Sequence, residues 1–505
     1  MSGNFYKILK SILLIKMKTK ITCNLFFNFS FVLTCINLIC VLFFTGCSTS
    51  QKSNIAQSDK EIPDSFSLAF PGAGGFGKYT TGGRGGKIMV VNNLHDLGKG
   101  SFREAAESTF PRTIVFAVSG TIHLEKKVTI QGDVTIAGQS APGDGICIAD
   151  KSVVIGGNNI IVRFLRFRLG DKYQKGGMID GNGGDDAFGG TKKKNIVIDH
   201  CSFSWSTDEV FSIYAGDSTS VQWNLIAEPL NYSYHFETGD SDYEKHGFGA
   251  IWGGIHASFH HNLFAHCKSR TPRFNGIRHT NEEHVDYRNN VIYNWGINNV
   301  YAGEGGRYNI VNNYYKPGPS TESNKREQIV NPFKRADIPF GKWYVNGNYV
   351  YSSTLVTNEN VLGVKLNEGN ENDLKDAIVS AAFPYSPIAT EHATIAFDLV
   401  LKNTGCIYPK RDTLDQRIIN DVINGTGRII DVQGGYPHGT AYELTSKAWP
   451  DLKQAPALSD SDSDGIPDEW EKLNGLDSNN PNDANEFKFH KHYTNIEVYL
   501  NSLLK

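Results

Sequence analysis

A solenoid of stacked β coils, a parallel β-helix, is the fold the sequence predicts between about Lys87 and Ser352. Three observations predict it. Short β-branched and aromatic runs recur with little helical periodicity between them. The 51 glycines against 18 prolines and 4 methionines favour turns and strands over long helices. One small polar residue followed by two apolar ones returns at Asn224, Asn262, Asn290, Asn313 and Asn348, with Cys201 in the equivalent earlier place. Those markers are spaced by roughly 23 to 38 residues, the period of a solenoid rather than of a sandwich. Stacked asparagines bond one another up such a pile and satisfy groups that a buried turn leaves unpaired. An antiparallel sandwich with long loops is the competing architecture.

Before the solenoid lies an address. Lys7, Lys10, Lys16, Lys18 and Lys20 precede an apolar run from Leu25 to Phe44, which ends at Thr45-Gly46-Cys47. Residues 1–47 therefore read as a signal peptide of the lipoprotein type, with Cys47 as the acylated residue. This predicts an outer-membrane or cell-surface lipoprotein; a secreted or periplasmic protein is the alternative. Residues 48–62 are a polar tether, and 63–355 form the β-helix. The near balance of 50 Lys+Arg against 53 Asp+Glu, net -3, offers no basic field for nucleic acid. Cys147, Cys201, Cys267 and Cys406 show no zinc spacing and read as buried thiols.

After Thr357 the pattern changes, and 356–450 reads as a helix and loop extension packed on the outside of the solenoid. Asp412 is placed to cap a helix running through Asn424, with Asp415 completing an acidic capping box. The tail, 451–505, carries an EF-hand-like loop. Asp460, Asp462, Asp464, Gly465, Ile466, Asp468 and Glu471 fall at loop positions 1, 3, 5, 6, 7, 9 and 12. Alternating carboxylates, a turn glycine and a twelfth-position glutamate suit Ca²⁺. The loop is expected to be single and structural.

Two segments carry chemistry. One is Val197-Ile-Asp-His-Cys-Ser-Phe-Ser-Trp-Ser-Thr-Asp208-Glu209; the other runs from His260 through Arg270-Thr-Pro272-Arg273-Phe-Asn275-Gly276. Counted from their ladder markers, Asp208 and Arg270 fall at nearly one azimuth, two coils or roughly 10 Å apart at ~4.8 Å per coil. An acid and an arginine so placed suit a cation and a sugar held between them.

These segments resemble the pectate lyase family of polysaccharide lyases (family one). The Ile-Asp-His-Cys-Ser-Phe-Ser stretch is similar to that family's Trp-Ile-Asp-His motif, and Arg270-Thr-Pro272 to its Arg-X-Pro-X-X-Arg motif. The resemblance covers about Pro71 to Tyr349. It implies an all-β, right-handed single-stranded parallel β-helix, Ca²⁺ in a groove, and monomeric action on pectate, an acidic plant cell-wall polysaccharide, by β-elimination. Carried over by residue, it implies Arg270 as the base, Asp186 and Asp208 as calcium ligands, and Lys245 as a holder of a substrate carboxylate. Two departures stand out. The last arginine of the motif is Asn275, leaving Arg273 or Arg278 to its task, and the acid expected four residues after Asp208 is Ser212, so that either Glu209 supplies that ligand or calcium binds more weakly here.

A guanidinium base is an unusual choice, because its intrinsic pKa is above about 12. His246 and His266 are the rival bases, and His246 is otherwise read as a substrate contact. Arg166 and Arg168, which share one strand face, complete the cationic surface expected to steer a polyanion. The competing functions are a β-helical pectin hydrolase of the polygalacturonase kind, and a non-catalytic surface glycan binder.

Overall fold

Each coil turns on a residue held in the left-handed region. His200, Trp223, His261, Asn289 and Asn312 have φ between 51 and 57°, and each immediately precedes a ladder marker. A positive φ interrupts strand pairing and swings the chain onto a new face. The long β runs of the sequence are therefore pairs of strands: Lys194–Asp199 then Ser202–Ser204, Asp217–Gln222 then Leu225–Ala227, Ala257–His260 then Leu263–Ala265.

The computed structural model describes residues 67–176 and 184–504. The signal peptide, the acylation site Cys47 and the tether lie outside the described residues. Three sheets stack side by side, all paired in parallel. A ten-stranded sheet runs from Lys87–Val91 to Lys342–Asn346, a nine-stranded one from Gly120–His123 to Tyr349–Val350, and an eight-stranded one from Val128–Ile130 to Val330–Pro332. This is a right-handed parallel β-helix, the hand that parallel strands joined by crossovers take almost without exception. Its core is a column of inward side chains in stacked layers, among them Phe167, Phe203, Phe211, Trp252 and Phe274.

The ladder runs as its spacing requires. Each marker's side-chain oxygen accepts from the backbone N–H of the marker one coil earlier: Cys201 to Asn224 at 2.8 Å, Asn224 to Asn262 and Asn262 to Asn290 at 3.0 Å, Asn290 to Asn313 at 2.9 Å, Asn313 to Asn348 at 3.0 Å. Asn360 closes the stack, accepting from Asn348 at 2.7 Å.

Two helices, Ala393–Asn403 and Thr413–Asn424, lie on the outward face of the nine-stranded sheet. Val400, Leu414, Ile418 and Val422 pack there on Leu225, Leu263, Val291 and Tyr293. Asp412 caps the second helix, accepting from the Asp415 N–H at 3.0 Å. The capping box does not close. The Asp415 carboxylate turns inward instead, to Ser202 and to Arg168 at 3.0 Å.

This contact overturns the assignment of Arg166 and Arg168 to substrate binding. They do share a face, but the extension covers it, leaving them 0% and 1% exposed. Asp412 pairs with Arg166 at 3.0 Å and with Arg168 at 2.6 Å. Burial opposes the Asp412 charge, but the two guanidiniums prevail and hold its carboxyl at about 2. Asp412→Ala leaves two buried cations facing one acid and removes a helix cap, so it is expected to cost about 3–5 kcal/mol in a denaturant melt.

The tail packs at the other end of the chain, on the outward side of the first strands. Ile466, Ala484, Ile496 and Leu500 meet Val115 and Ala137, and Arg84 pairs with Glu497 at 2.8 Å. Cys147, Cys201, Cys267 and Cys406 are buried free thiols. Among the described residues no helix is long and apolar enough to cross a membrane.

Candidate active site

Between the nine-stranded and the eight-stranded sheets every coil makes a loop, and four consecutive loops build one site. Asp186 precedes the strand Phe188–Thr191, Asp208 and Glu209 precede Phe211–Tyr214, His246 and Phe248 precede Ile251–Trp252, and Arg270 precedes Arg273–Phe274. Single parallel bridges from Glu209 to Phe248 and from Phe248 to Ser269 fix the alignment. Asp208 and Arg270 thus stand two coils apart on one side of the molecule.

The acids are crowded. One carboxylate oxygen each from Asp186, Asp208 and Glu209 lies within 4.8 Å of the others. The Asp186 carboxylate accepts from the Glu209 N–H at 3.0 Å. Burial, together with the Asp208 carboxylate beside it, pushes Asp186 well above the usual carboxylate range, while a hydrogen bond from Ser212 pulls the other way. Burial acts on Asp208 too, but His246 outweighs it and holds that carboxyl below its ordinary value. The His246 Nε2 to Asp208 distance is 2.8 Å. Carboxylates forced together in this way fit a hard divalent cation, with Asp186 and Asp208 as its donors. Glu209 lies within reach of the same point, yet its Oε1 already contacts the Arg270 guanidinium.

Arg270 is held on three sides. Its backbone is left-handed, φ 59°. Its Nη1 meets Glu209, its Nε donates to the Tyr301 hydroxyl at 3.3 Å, and its guanidinium lies over the Phe248 ring at 4.5 Å. About a fifth of the side chain is exposed, toward the groove.

No protein-family model matches the sequence. Curated relatives do, over nearly their whole length, two of them as follows. The probable pectate lyase C of Aspergillus fumigatus is 35% identical over 450 residues, covering 86% of this chain and 94% of that one. The probable pectate lyase C of Neosartorya fischeri is 36% identical over 451 residues, with the same coverage, 86% and 94%. The chain belongs to the pectate lyase family. It is a polysaccharide lyase. Solved structures with some likeness to this family member include the cedar pollen allergen jun a 1 (TM-score 0.46, 18% identity, 66% of this chain and 92% of that). Another is a pectate lyase bound to a hexasaccharide (TM-score 0.45, 14% identity, 68% and 99%).

Around the lyase groove the cations divide. Lys245 is exposed, 5.6 Å over the Tyr232 ring, and the Lys268 ammonium donates to its carbonyl at 3.1 Å. Arg273 is buried against Glu304 at 3.0 Å, which removes it from the list of free substrate contacts. Arg278 is half-buried and donates to the Asn275 side-chain oxygen at 3.2 Å, so the residue that replaces the motif's last arginine positions the next one. His266 is buried beside Asp421 at 3.5 Å and beneath the extension, away from the groove.

Glu283 supports this region from behind. Buried, it accepts from the Gly276 N–H and the Tyr308 hydroxyl, both at 2.7 Å. Burial pushes it up to about 8, against those bonds and the charge of Arg273. The folded protein therefore keeps a proton that the unfolded chain releases near 4.5, so this contribution is full below that pH and is lost as pH rises toward 8. Glu283→Gln is expected to flatten the fall in stability between about pH 5 and pH 8, read by urea melts at both ends.

The tail loop corrects the expected ligand set. Asp460, Asp462 and Asp464 bring oxygens together within 4.8 Å, and Asp464 and Glu471 do so with Asp483. Asp483 has no place in the twelve-residue pattern. Asp468, expected as a ligand, turns back instead to accept from the Ser461 N–H at 2.7 Å and the Ser459 hydroxyl at 2.6 Å. The Ile466 side chain is buried in the tail core, leaving its carbonyl as the only group it can offer. Glu471 is fully buried, and neither carboxylate oxygen has a hydrogen-bond partner among the described residues. Burial and the neighbouring acids push Asp464 up to about 7 and Glu471 up to about 8. This donor set fits Ca²⁺.

Proposed function

We propose that this lyase cleaves polygalacturonate or a related uronan by Ca²⁺-assisted β-elimination, with Arg270 as the base. The placement of Asp186, Asp208 and Arg270 on one groove wall supports this reading, as does the likeness to relatives named probable pectate lyases. The proton on C5 of a uronate is α to a carboxylate, and it becomes removable only if the charge that develops there is stabilised. Ca²⁺ held by Asp186 and Asp208 would supply that stabilisation as a Lewis acid. Lys245, exposed, and Lys268, half-buried beside it on the same rim, hold the polyanion's carboxylates. Glu209, Tyr301 and Phe248 fix the plane of the Arg270 guanidinium against the sugar. Arg270 acts as the neutral guanidine, its extra proton given up to solvent. A nitrogen lone pair takes the C5 proton, the C5–H electron pair becomes the C4–C5 double bond, the C4–O bond breaks, and the departing oxygen takes a proton from water to complete the new reducing end.

The test is incubation with polygalacturonate and Ca²⁺. Ultraviolet absorbance of an unsaturated product rising with reducing ends is the expected result. Reducing ends without absorbance indicate a hydrolase, and retained binding with neither product indicates a glycan binder.

The N-terminal sequence supports export and a lipid anchor at Cys47. Metabolic labelling with an acyl probe is expected to tag the wild-type chain and not Cys47→Ala.

A further inference from the structure

We propose that Asp208, His235 and His246 form a nitrogen-donor metal position beside the Asp186–Asp208 carboxylates, taking a first-row transition ion such as Zn²⁺ or Co²⁺. It rests on the groove reading above and adds a cation of a different class to it.

One ligand atom each from Asp208, His235 and His246 lies within 4.8 Å of the others. The two imidazoles are stacked, centroids 3.8 Å apart and planes at 21°. Both come from the long loop between the strands Leu225–Ala227 and Ile251–Trp252. That loop is pinned: the Glu244 N–H donates to the His235 carbonyl at 3.1 Å and the His246 N–H to the Asn231 carbonyl at 2.7 Å. Asn231 in turn donates to the Ile430 carbonyl of the extension at 2.8 Å. The rings are therefore presented together, on the coil next to Asp208.

His235 makes the case. It is 2% exposed, and neither of its ring nitrogens has a hydrogen-bond partner among the described residues. The nearest carboxylate, on Glu237, stands 3.8 Å away, too far for a hydrogen bond. A buried imidazole left unpaired costs about 1–3 kcal/mol and calls for a reason. Packing supplies part of one, since His246 also lies against Phe248 at 3.8 Å. Packing does not explain why the ring is an imidazole, because a phenyl ring would stack there without burying two polar nitrogens. A lone pair directed at a metal does. Ca²⁺ is a poor occupant of this position because it takes oxygen ligands, whereas imidazole suits zinc, copper, iron and nickel. The shared Asp208 carboxylate joins the two positions, one with oxygen donors toward Asp186 and one with nitrogen donors toward the histidines.

The test uses the full chain after removal of bound metal, titrated with Co²⁺ in the presence of excess Ca²⁺. A visible absorption band saturating at one equivalent, and abolished by Zn²⁺, is expected. His235→Phe, which keeps the ring stack, and His246→Gln should each lose the band; Asp186→Asn should keep it while losing Ca²⁺-dependent turnover. A protein with no band, or a band that survives His235→Phe, overturns the proposal. Turnover of polygalacturonate without a cobalt band defeats this inference alone, and a cobalt band on a protein inactive toward polygalacturonate defeats the lyase mechanism alone.

Discussion

Arg270→Ala is expected to lower turnover on polygalacturonate by about 10²–10⁴-fold, the range that positioned proton transfer contributes. The substitution does more than delete a base. Glu209 is 4% exposed and faces the guanidinium, so alanine leaves a buried carboxylate without its cation. Some loss of stability is expected with it, and a fall in activity alone does not isolate the chemistry. Arg270→Lys separates the two effects. It keeps a cation for Glu209 but loses the planar group that lies over Phe248 and donates to Tyr301. The expected result is a near-normal melting temperature with turnover still depressed at least a hundredfold, about the lower bound of the same range. Activity retained in both variants moves the base role to His246, whose Nε2 meets Asp208 at 2.8 Å.

The second large effect is thermal. Stripping Ca²⁺ from the whole protein is expected to cost about 3–4 kcal/mol relative to a solution at several hundred times the dissociation constant. Asp464→Ala combined with Glu471→Ala should remove the tail loop's share of that calcium dependence, leaving only what the groove ion contributes, with turnover per folded molecule unchanged at low temperature. Asp483→Asn should weaken it, and Asp468→Asn should leave it nearly intact, because the Asp468 carboxylate is engaged with Ser459 and Ser461. The measurement is a melting curve for each variant with and without the ion. A large loss of activity at unchanged stability would contradict a structural role for the loop.

What could be read from the sequence follows from which features repeat. The asparagine ladder was legible because each marker occupies the same place in its coil and must meet the next. The face shared by Arg166 and Arg168 was legible from strand alternation. What covers that face was not, since Asp412 and Asp415 lie about 250 residues further on and carry no spacing relative to the arginines. The eight-stranded sheet was hard to see for another reason: members such as Ile251–Trp252 and Arg273–Phe274 are too short to alternate. His235 and Asp483 join their clusters through folding alone. Neither sits at a motif position, and only the buried, unpaired oxygens and nitrogens around them give them away.

The left-handed corners and the ladder hold the strands in register whatever lies between them. The loop after Ser202–Ser204 is a few residues, while the next one up, after Leu225–Ala227, runs to residue 250, and both return to the same sheet. Such a scaffold lets one storey be rebuilt while its neighbours stand. Longer sugar-gripping arms or new ligands can be inserted at a single level, and the groove can change its substrate or its metal without renegotiating the fold.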